Sequence, residues 1–249
     1  MLQRLIAHRL VTPPAIWGKL PRHADFVRSG MRHGESEAWQ SWLALQGCLD
    51  REARPALGAA LPTAFVLPPG SLPFAARRFV IGVLAPSVDK VGRSHVLLVY
   101  QTAHLRWLRF QFDDAVPHDW LFWLARTVAR HVRADTPSDS QAIDQAVRRL
   151  WRVYAPGTCD LWARAAASPA TRQARRARQT AARRQSESPA APFFADDLAA
   201  QLHGVTRLPW ADWPHRLYRP HGHGMFWQQD AKGGFVNAAT RLAILWGEA

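Results

Sequence analysis

The chain has 249 residues, 48% of them hydrophobic, which is enough for one buried core of ordinary domain size. No apolar run approaches the length of a membrane-spanning helix, so no transmembrane segment is predicted. The formal net charge of +13, carried mostly by arginine, permits acidic partners, nucleic acid or an anionic surface and selects none of them.

Cysteine usage and the N-terminal residues bear on the cellular compartment. The two cysteines, Cys48 and Cys159, establish no disulfide framework, and reduced thiols are the simpler interpretation. The N-terminal apolar stretch is too short and too charged for a secretion signal. We therefore expect a cytoplasmic protein.

The N-terminal part of the chain predicts a flexible leader, a polar loop and a helix. Residues 1–15 form the leader, either as a short amphipathic helix or as a frayed terminus. Residues 16–28 indicate a short strand, a turn and a polar loop that Trp17 and Phe26 hold against the core. Residues 35–54 carry apolar side chains at helical spacing and predict an amphipathic helix.

The centre of the chain holds two strongly apolar runs, residues 79–85 and 95–100. Short β-branched runs without alternation are typical of strands buried on both faces. Because Pro86 has no N–H for a ladder, we predict that it ends the first of these strands. A shorter strand is predicted over residues 64–67.

Beyond these strands the sequence predicts further helices and a hairpin. Residues 105–112 alternate in part between apolar and polar side chains, which indicates a half-buried strand or an irregular loop held by aromatic residues. Helices are predicted over residues 117–133, 138–154, 193–202 and 240–246. Two strands over residues 225–229 and 234–237 are predicted to form a hairpin.

Residues 165–192 differ in composition from the rest of the chain. They are dominated by Ala, Arg, Gln, Ser and Pro and contain no aromatic residue, so they lack the apolar surface needed for a core. We predict a flexible insertion within one domain formed by residues 16–164 and 193–249. The arginines of the insertion are either a solvated linker or a phosphate-binding cluster, and the second option would make the protein a nucleic-acid or anionic-surface binder.

A hydrolase is one alternative function, because Ser87, Asp89 and His95 are the residue types of a catalytic triad. No Gly-x-Ser-x-Gly sequence occurs, however. In a tight connector, serine and aspartate more often bond to the local backbone. A structural role for Ser87 and Asp89 is therefore favoured over catalysis.

A metal-dependent enzyme is another alternative, because His215, His221 and His223 lie close together in the sequence. A His-x-His pair on a strand can share one metal ion with a third ligand nearby. The chain contains no HExxH and no paired CxxC, and a loop rich in histidine and glycine explains the same pattern. No metal and no cofactor is predicted.

Two pairs of opposite charges lie in loops beside the predicted buried strands: Asp89 with Arg93, and Lys19 with Asp25. One interpretation is that each pair is a structural ion pair that stiffens its loop. The other is that the loops form a recognition surface, since polar loops on a rigid sheet suit partner binding. The sequence leaves both interpretations open.

The same two loops carry a family resemblance. The segments Gly18-Lys19-Leu20-Pro21 and Asp25-Phe26-Val27-Arg28, followed by Gly82-Val83-Leu84-Ala85-Pro86-Ser87-Val88-Asp89-Lys90-Val91-Gly92-Arg93, resemble the two signatures of the TagF family. The second signature is long and specific, and the order and spacing of the two agree with the family over about residues 16–101.

The resemblance implies an α/β fold, with a mixed, mostly antiparallel central sheet packed between helices as a three-layer sandwich. It implies a non-catalytic cytoplasmic regulator, generally a repressor, of type VI secretion that acts on the forkhead-associated scaffold protein of the system. No nucleic-acid partner is expected. The candidate partner-binding residues are Lys19, Asp25, Phe26, Arg28, Ser87, Asp89, Lys90 and Arg93.

Overall fold

The computed structural model describes residues 10–47, 61–112, 120–132, 139–154, 224–230 and 235–246. The strands in these ranges are β1 Ala15–Gly18, β2 Val27–Ser29, β3 Thr63–Leu67, β4 Phe79–Val88, β5 Ser94–Ala103, β6 Met225–Gln229 and β7 Phe235–Ala239. The helices are α1 Glu35–Leu45, α2 Leu105–Phe112, α3 Trp120–Val132, α4 Ser140–Tyr154 and α5 Leu242–Trp246, with a 3-10 turn at Pro73–Ala75. Each helix in these ranges is too short or too polar to cross a membrane.

All seven described strands belong to one sheet in the order β2-β1-β5-β4-β3-β6-β7. Every neighbouring pair is antiparallel. The longest pairing joins β4 to β5 and runs from Phe79 opposite Ala103 to Val88 opposite Ser94. The predicted α/β class with a mostly antiparallel central sheet is therefore confirmed.

Helices cover both faces of the sheet, in agreement with the predicted three-layer sandwich. On β4, the side chains of Ile81 and Val83 enter one apolar cluster, which includes buried residues of α2, α3 and α4. The neighbouring Val80 and Leu84 enter a second cluster, which includes buried residues of α1 and α5. Because successive residues of a strand point to opposite faces, a strand between two helical layers must be apolar throughout.

The two central strands are buried on both faces as predicted, but β4 does not end at Pro86. The strand continues to Val88, and Pro86 lies opposite Val96 of β5. The pairing of β4 with β3 stops at Leu84, so the last part of β4 is paired with β5 alone. A proline is tolerated on an edge of this kind, where one side of the strand needs no N–H donor.

Residues 105–112 form helix α2, and both predicted alternatives, a strand and an irregular loop, are wrong. His104 begins the helix: its carbonyl oxygen accepts from the N–H groups of Trp107 and Leu108, and its Nδ1 accepts from the N–H of Arg106. Trp107 and Leu108 are adjacent and both buried. Adjacent buried side chains fit a helix packed on a sheet and contradict strict alternation.

The predicted leader lies partly outside the described residues, since the description begins at Leu10. Val11 is buried and forms a bridge with Ala103. The Thr12 hydroxyl accepts from the N–H of Thr102 at 2.9 Å, and the N–H of Thr12 donates to the carbonyl oxygen of Thr102 at 2.9 Å. Backbone pairing beside β5 therefore begins before β1 itself.

The other predicted elements agree with the structure where it describes them. Helices α1, α3, α4 and α5 and strands β3, β6 and β7 lie within or overlap the predicted ranges. The predicted helix over residues 193–202 and the predicted insertion over residues 165–192 lie outside the described residues.

Candidate functional site

The Asp89 carboxylate is the centre of a polar network at the end of β4. Its Oδ2 lies 2.6 Å from Nζ of Lys19 and 2.6 Å from Nε of Arg93. Its Oδ1 accepts from the backbone N–H groups of Val91 at 3.0 Å and Arg93 at 2.8 Å. The Asp89 side chain is 0% exposed, so the protein supplies all of these donors in place of water.

Lys19 reaches Asp89 because β1 ends in close contact with β5. Gly18 has φ +136°, and a Cβ at this position would lie 2.1 Å from the carbonyl oxygen of Val96. Only glycine allows this approach, and the next residue then donates its N–H to the same Val96 oxygen at 3.2 Å. The ends of β1 and β4 therefore lie on either side of β5, at the same end of the sheet.

The electrostatics of the network favour the ionised form of Asp89. Burial by itself raises the pKa of the Asp89 carboxyl, but the hydrogen bonds from Lys19, from the backbone and side chain of Arg93 and from the N–H of Val91 together lower this pKa well below 3.8. The carboxylate is therefore ionised at neutral pH and paired with two cations.

The network joins the two loops that carry the charge pairs. We call residues 19–28 the first loop, although its last two residues belong to β2, and residues 89–93 the second loop. The Arg93 guanidinium donates to the carbonyl oxygen of Ala24 at 2.8 Å. The N–H of Lys90 donates to the carbonyl oxygen of His23 at 3.0 Å. Both loops therefore form a single surface at one end of the sheet.

Aromatic contacts hold the first loop against the sheet, as predicted. The Phe26 ring stacks on Trp17 with centroids 5.2 Å apart and meets His95 edge-on at 4.6 Å. The Lys19 ammonium lies 5.3 Å from the centroid of the Phe26 ring. Phe26 therefore fixes the first loop from the apolar side while Asp89 fixes it from the polar side.

The first loop is also bonded to α4. The N–H of Ser140, at the start of α4, donates to Nε2 of His23 at 3.1 Å. Directly after the loop, at the end of β2, the Ser29 hydroxyl donates to the Asp144 carboxylate, which is paired with Arg148 at 2.6 Å. These contacts place α4 beside the first loop and β2.

The structural ion-pair interpretation is confirmed for one of the two loop charge pairs and is wrong for the other. Asp89 is paired with Arg93, as predicted. Lys19 is paired with Asp89 instead of Asp25, whose side chain is exposed. The sequence could not supply this partner because the two residues are 70 positions apart.

The eight predicted site residues divide into a buried and an exposed group. Lys19, Ser87 and Asp89 are buried, and Phe26 is half-buried. The exposed residues are Asp25, Arg28, Lys90 and Arg93. Val91 is not among these eight residues; it is 66% exposed and lies in the second loop between two of these cations.

The residues of the proposed triad have structural contacts. The Ser87 hydroxyl donates to the carbonyl oxygen of Lys19 at 2.7 Å. Asp89 Oδ2 accepts from Lys19 and from Nε of Arg93, and Oδ1 accepts from the N–H groups of Val91 and Arg93. In a triad the serine hydroxyl donates to an imidazole that a carboxylate orients, and the bonds of Ser87 and Asp89 follow a different pattern.

The proposed histidine site, His215, His221 and His223, lies outside the described residues. Across the ranges that are described, histidine, cysteine and carboxylate side chains do not gather in groups of three or more that could hold a metal ion.

A second buried polar contact lies under α1 and was not predicted. The Tyr100 hydroxyl donates to Oε2 of Glu35 at 2.7 Å, and the same oxygen accepts from the N–H of Arg32 at 2.8 Å. Burial, together with the hydrogen bond to the Glu35 carboxylate, raises the pKa of Tyr100 far above 10.0. This contact links β5 to the start of α1.

The fold and the site together define an α/β protein that presents a fixed polar surface, made of two loops, at one end of an antiparallel sheet. The family model described as the TagF N-terminal domain, type VI secretion system-associated, matches residues 15–150, which is more than half of the chain. The protein therefore belongs to the TagF family, and it is a type VI secretion system-associated protein.

Other comparisons add little to this assignment. No curated protein matches the chain. Among solved structures, the crystal structure of PA0076 from Pseudomonas aeruginosa PAO1 is similar, with 24% sequence identity and a TM-score of 0.44 over 67% of this chain and 77% of that chain.

Proposed function

We propose that this protein is a non-catalytic cytoplasmic regulator, acting as a post-translational repressor, of a bacterial type VI secretion system. In this proposal it acts by binding the forkhead-associated scaffold protein of the system. The observation that carries the proposal is the joining of the two loops by Asp89, because each loop lies within one of the two stretches that resemble the family signatures.

Within this proposal the buried and exposed residues have different roles. Lys19, Ser87 and Asp89 bond to one another or to loop backbone and hold the surface in shape. Arg28, Lys90 and Arg93 are exposed and supply contacts to the partner, together with the exposed Asp25. A surface that is ordered before binding loses less conformational entropy when the complex forms.

Titration calorimetry of the full chain against the forkhead-associated scaffold from the same secretion cluster tests the proposal. We expect near-stoichiometric binding that survives moderate salt. Arg93→Ala should weaken binding, whereas Arg77→Ala should not, because Arg77 is exposed just before β4 begins, at the opposite end of the strand from the second loop. Absence of scaffold binding by the folded wild-type chain would overturn the proposed partner.

The repressor role needs a test in cells. Deletion of the gene should raise the amount of type VI substrates in the culture medium, and the wild-type gene should restore repression. The Arg93→Ala protein should repress less than the wild type at equal abundance. Lower secretion in the deletion strain would contradict the repressor role.

A further inference from the structure

Val91 is an exposed apolar side chain held in a fixed position. It lies in the second loop and is 66% exposed. Its N–H donates to Asp89 Oδ1 at 3.0 Å, and the N–H of Gly92 donates to the Asp89 carbonyl oxygen at 3.0 Å. The backbone on both sides of Val91 is therefore fixed, and the side chain is kept in solvent.

The surface around Val91 is basic. Across the two loops, the exposed cations are Arg22, Arg28, Lys90 and Arg93, and the exposed carboxylate is Asp25. The Asp89 carboxylate pairs with Arg93, but the buried Lys19 ammonium balances its charge, so the two loops keep an excess of positive charge. A partner with complementary potential at this surface must be acidic.

Arg93 is ordered before any partner binds. Its Nε is bonded to Asp89 and one terminal nitrogen donates to the carbonyl oxygen of Ala24, yet the side chain remains 58% exposed. A guanidinium carries five N–H groups, so donors remain for a carboxylate of the partner. Because the side chain is already fixed, less rotamer entropy is lost when it binds that carboxylate.

We propose that this surface binds an acidic segment of a folded protein, in which carboxylates meet Lys90 and Arg93 and an apolar recess receives Val91. The proposal rests on the proposed function and adds to it the chemistry of the partner's surface. A nucleic-acid backbone satisfies the cations but offers no apolar recess for a fixed, exposed valine.

The test is the affinity of full-length variants for the same scaffold protein, measured at low and at moderate salt. Val91→Asp, which places a carboxylate where an acidic partner docks, should raise Kd by about tenfold or more. Lys90→Glu should also raise Kd and should reduce the salt dependence of binding. The matched controls are Ile244→Asp and Arg106→Glu, which change exposed residues of α5 and α2 and should leave Kd within about twofold.

The outcomes separate this inference from the proposed function. If Arg93→Ala weakens scaffold binding but Val91→Asp and Lys90→Glu leave it unchanged, the inference is overturned and the proposed function stands. No binding by the wild-type chain would overturn both. A nucleic-acid surface would give a different set of results: a short DNA duplex would compete with the scaffold, and Lys90→Glu would weaken binding of both. Val91→Asp would then leave Kd as unchanged as the control Ile244→Asp does. These results would assign the surface to nucleic acid and would also overturn the inference.

Discussion

Lys19 and Asp89 form a buried ion pair of 2.6 Å although 70 positions separate them in the chain. Lys19 follows β1 and Asp89 follows β4, and the two strands lie on either side of β5. The pair therefore joins the two loops of the candidate site across the sheet. Its energetic role follows from burial, because a buried charge that loses its partner is costly.

Removing both members of the pair should cost less stability than the two single removals added together. Asp89→Asn leaves the Lys19 ammonium, which is 9% exposed, without a carboxylate and should be strongly destabilising. The double variant Lys19→Met, Asp89→Asn should lose less stability than the sum of the two single losses. Urea unfolding of the wild type, Lys19→Met, Asp89→Asn and the double variant measures this coupling.

The matched control for this cycle is the pair formed by Asp144 and Arg148, which is partly exposed, with Arg148 at 52%. Neutralising Asp144 should change the free energy of unfolding by about 1 kcal/mol or less. If the losses in the free energy of unfolding of the two single variants simply add up in the double variant, and are as small as those of an exposed pair, the buried pair does not couple the loops.

Stability should fall in acid because of Asp89. Its pKa in the folded protein lies below the ordinary 3.8, so its contribution is complete at pH values well above 3.8 and is lost progressively as the pH falls below that value. The free energy of unfolding of the wild type should therefore fall more steeply below pH 3.8 than that of the Lys19→Met, Asp89→Asn variant. Asp144 is present in both proteins, so its contribution cancels. Parallel pH profiles would rule out this role for Asp89.

The contribution of Tyr100 to the free energy of unfolding should have the opposite pH dependence and should be lost at high pH. Its folded pKa is raised above 10.0, so its contribution is complete below pH 10.0 and is lost as the pH rises above that value. In absorbance titrations, one of the three tyrosines should stay protonated until the protein unfolds. Tyr100→Phe should remove this resistant tyrosine and cost about 1–3 kcal/mol, because Glu35 loses a donor. A full, reversible titration of all three tyrosines in the folded protein would contradict this account.

Gly82→Ala should destabilise the sheet. A Cβ at Gly82 would lie 2.2 Å from the carbonyl oxygen of Val99 and 2.9 Å from Cζ of Phe65. Because one of these neighbours is backbone of a central strand, we expect a loss of about 3 kcal/mol, at the upper end for overpacking. Gly70→Ala is the control: Gly70 has φ +85° but open space, so its cost should be about 1 kcal/mol of backbone strain. Thermal or urea unfolding compares the two, and equal losses would refute the steric explanation.

Ser87→Ala should affect stability through the backbone of the first loop. The Ser87 hydroxyl donates to the carbonyl oxygen of Lys19, and its loss should cost about 1–2 kcal/mol. Ser87→Thr should recover part of that stability if the hydroxyl keeps its bond. A serine-directed fluorophosphonate should leave the wild type unlabelled, and specific labelling at Ser87 would revive the hydrolase alternative.

The sequence by itself determined the elements whose signals are local. Buried apolar runs identified β4 and β5, and helical spacing identified α1, α3 and α4, because such patterns depend on neighbouring residues alone. The stretches that resemble the family signatures also marked both loops of the candidate site. The pairing of Asp89 with Arg93, four residues apart, is local in the same sense.

Only the tertiary structure decided which distant groups meet. The partner of Lys19 depends on strand order, which places β1 and β4 on either side of β5. The helical state of residues 105–112 depends on packing of Trp107 and Leu108 on the sheet. Pro86 remains in β4 because β3 stops short of it. In each case the deciding interaction comes from residues far away in the chain, whose positions no local pattern encodes.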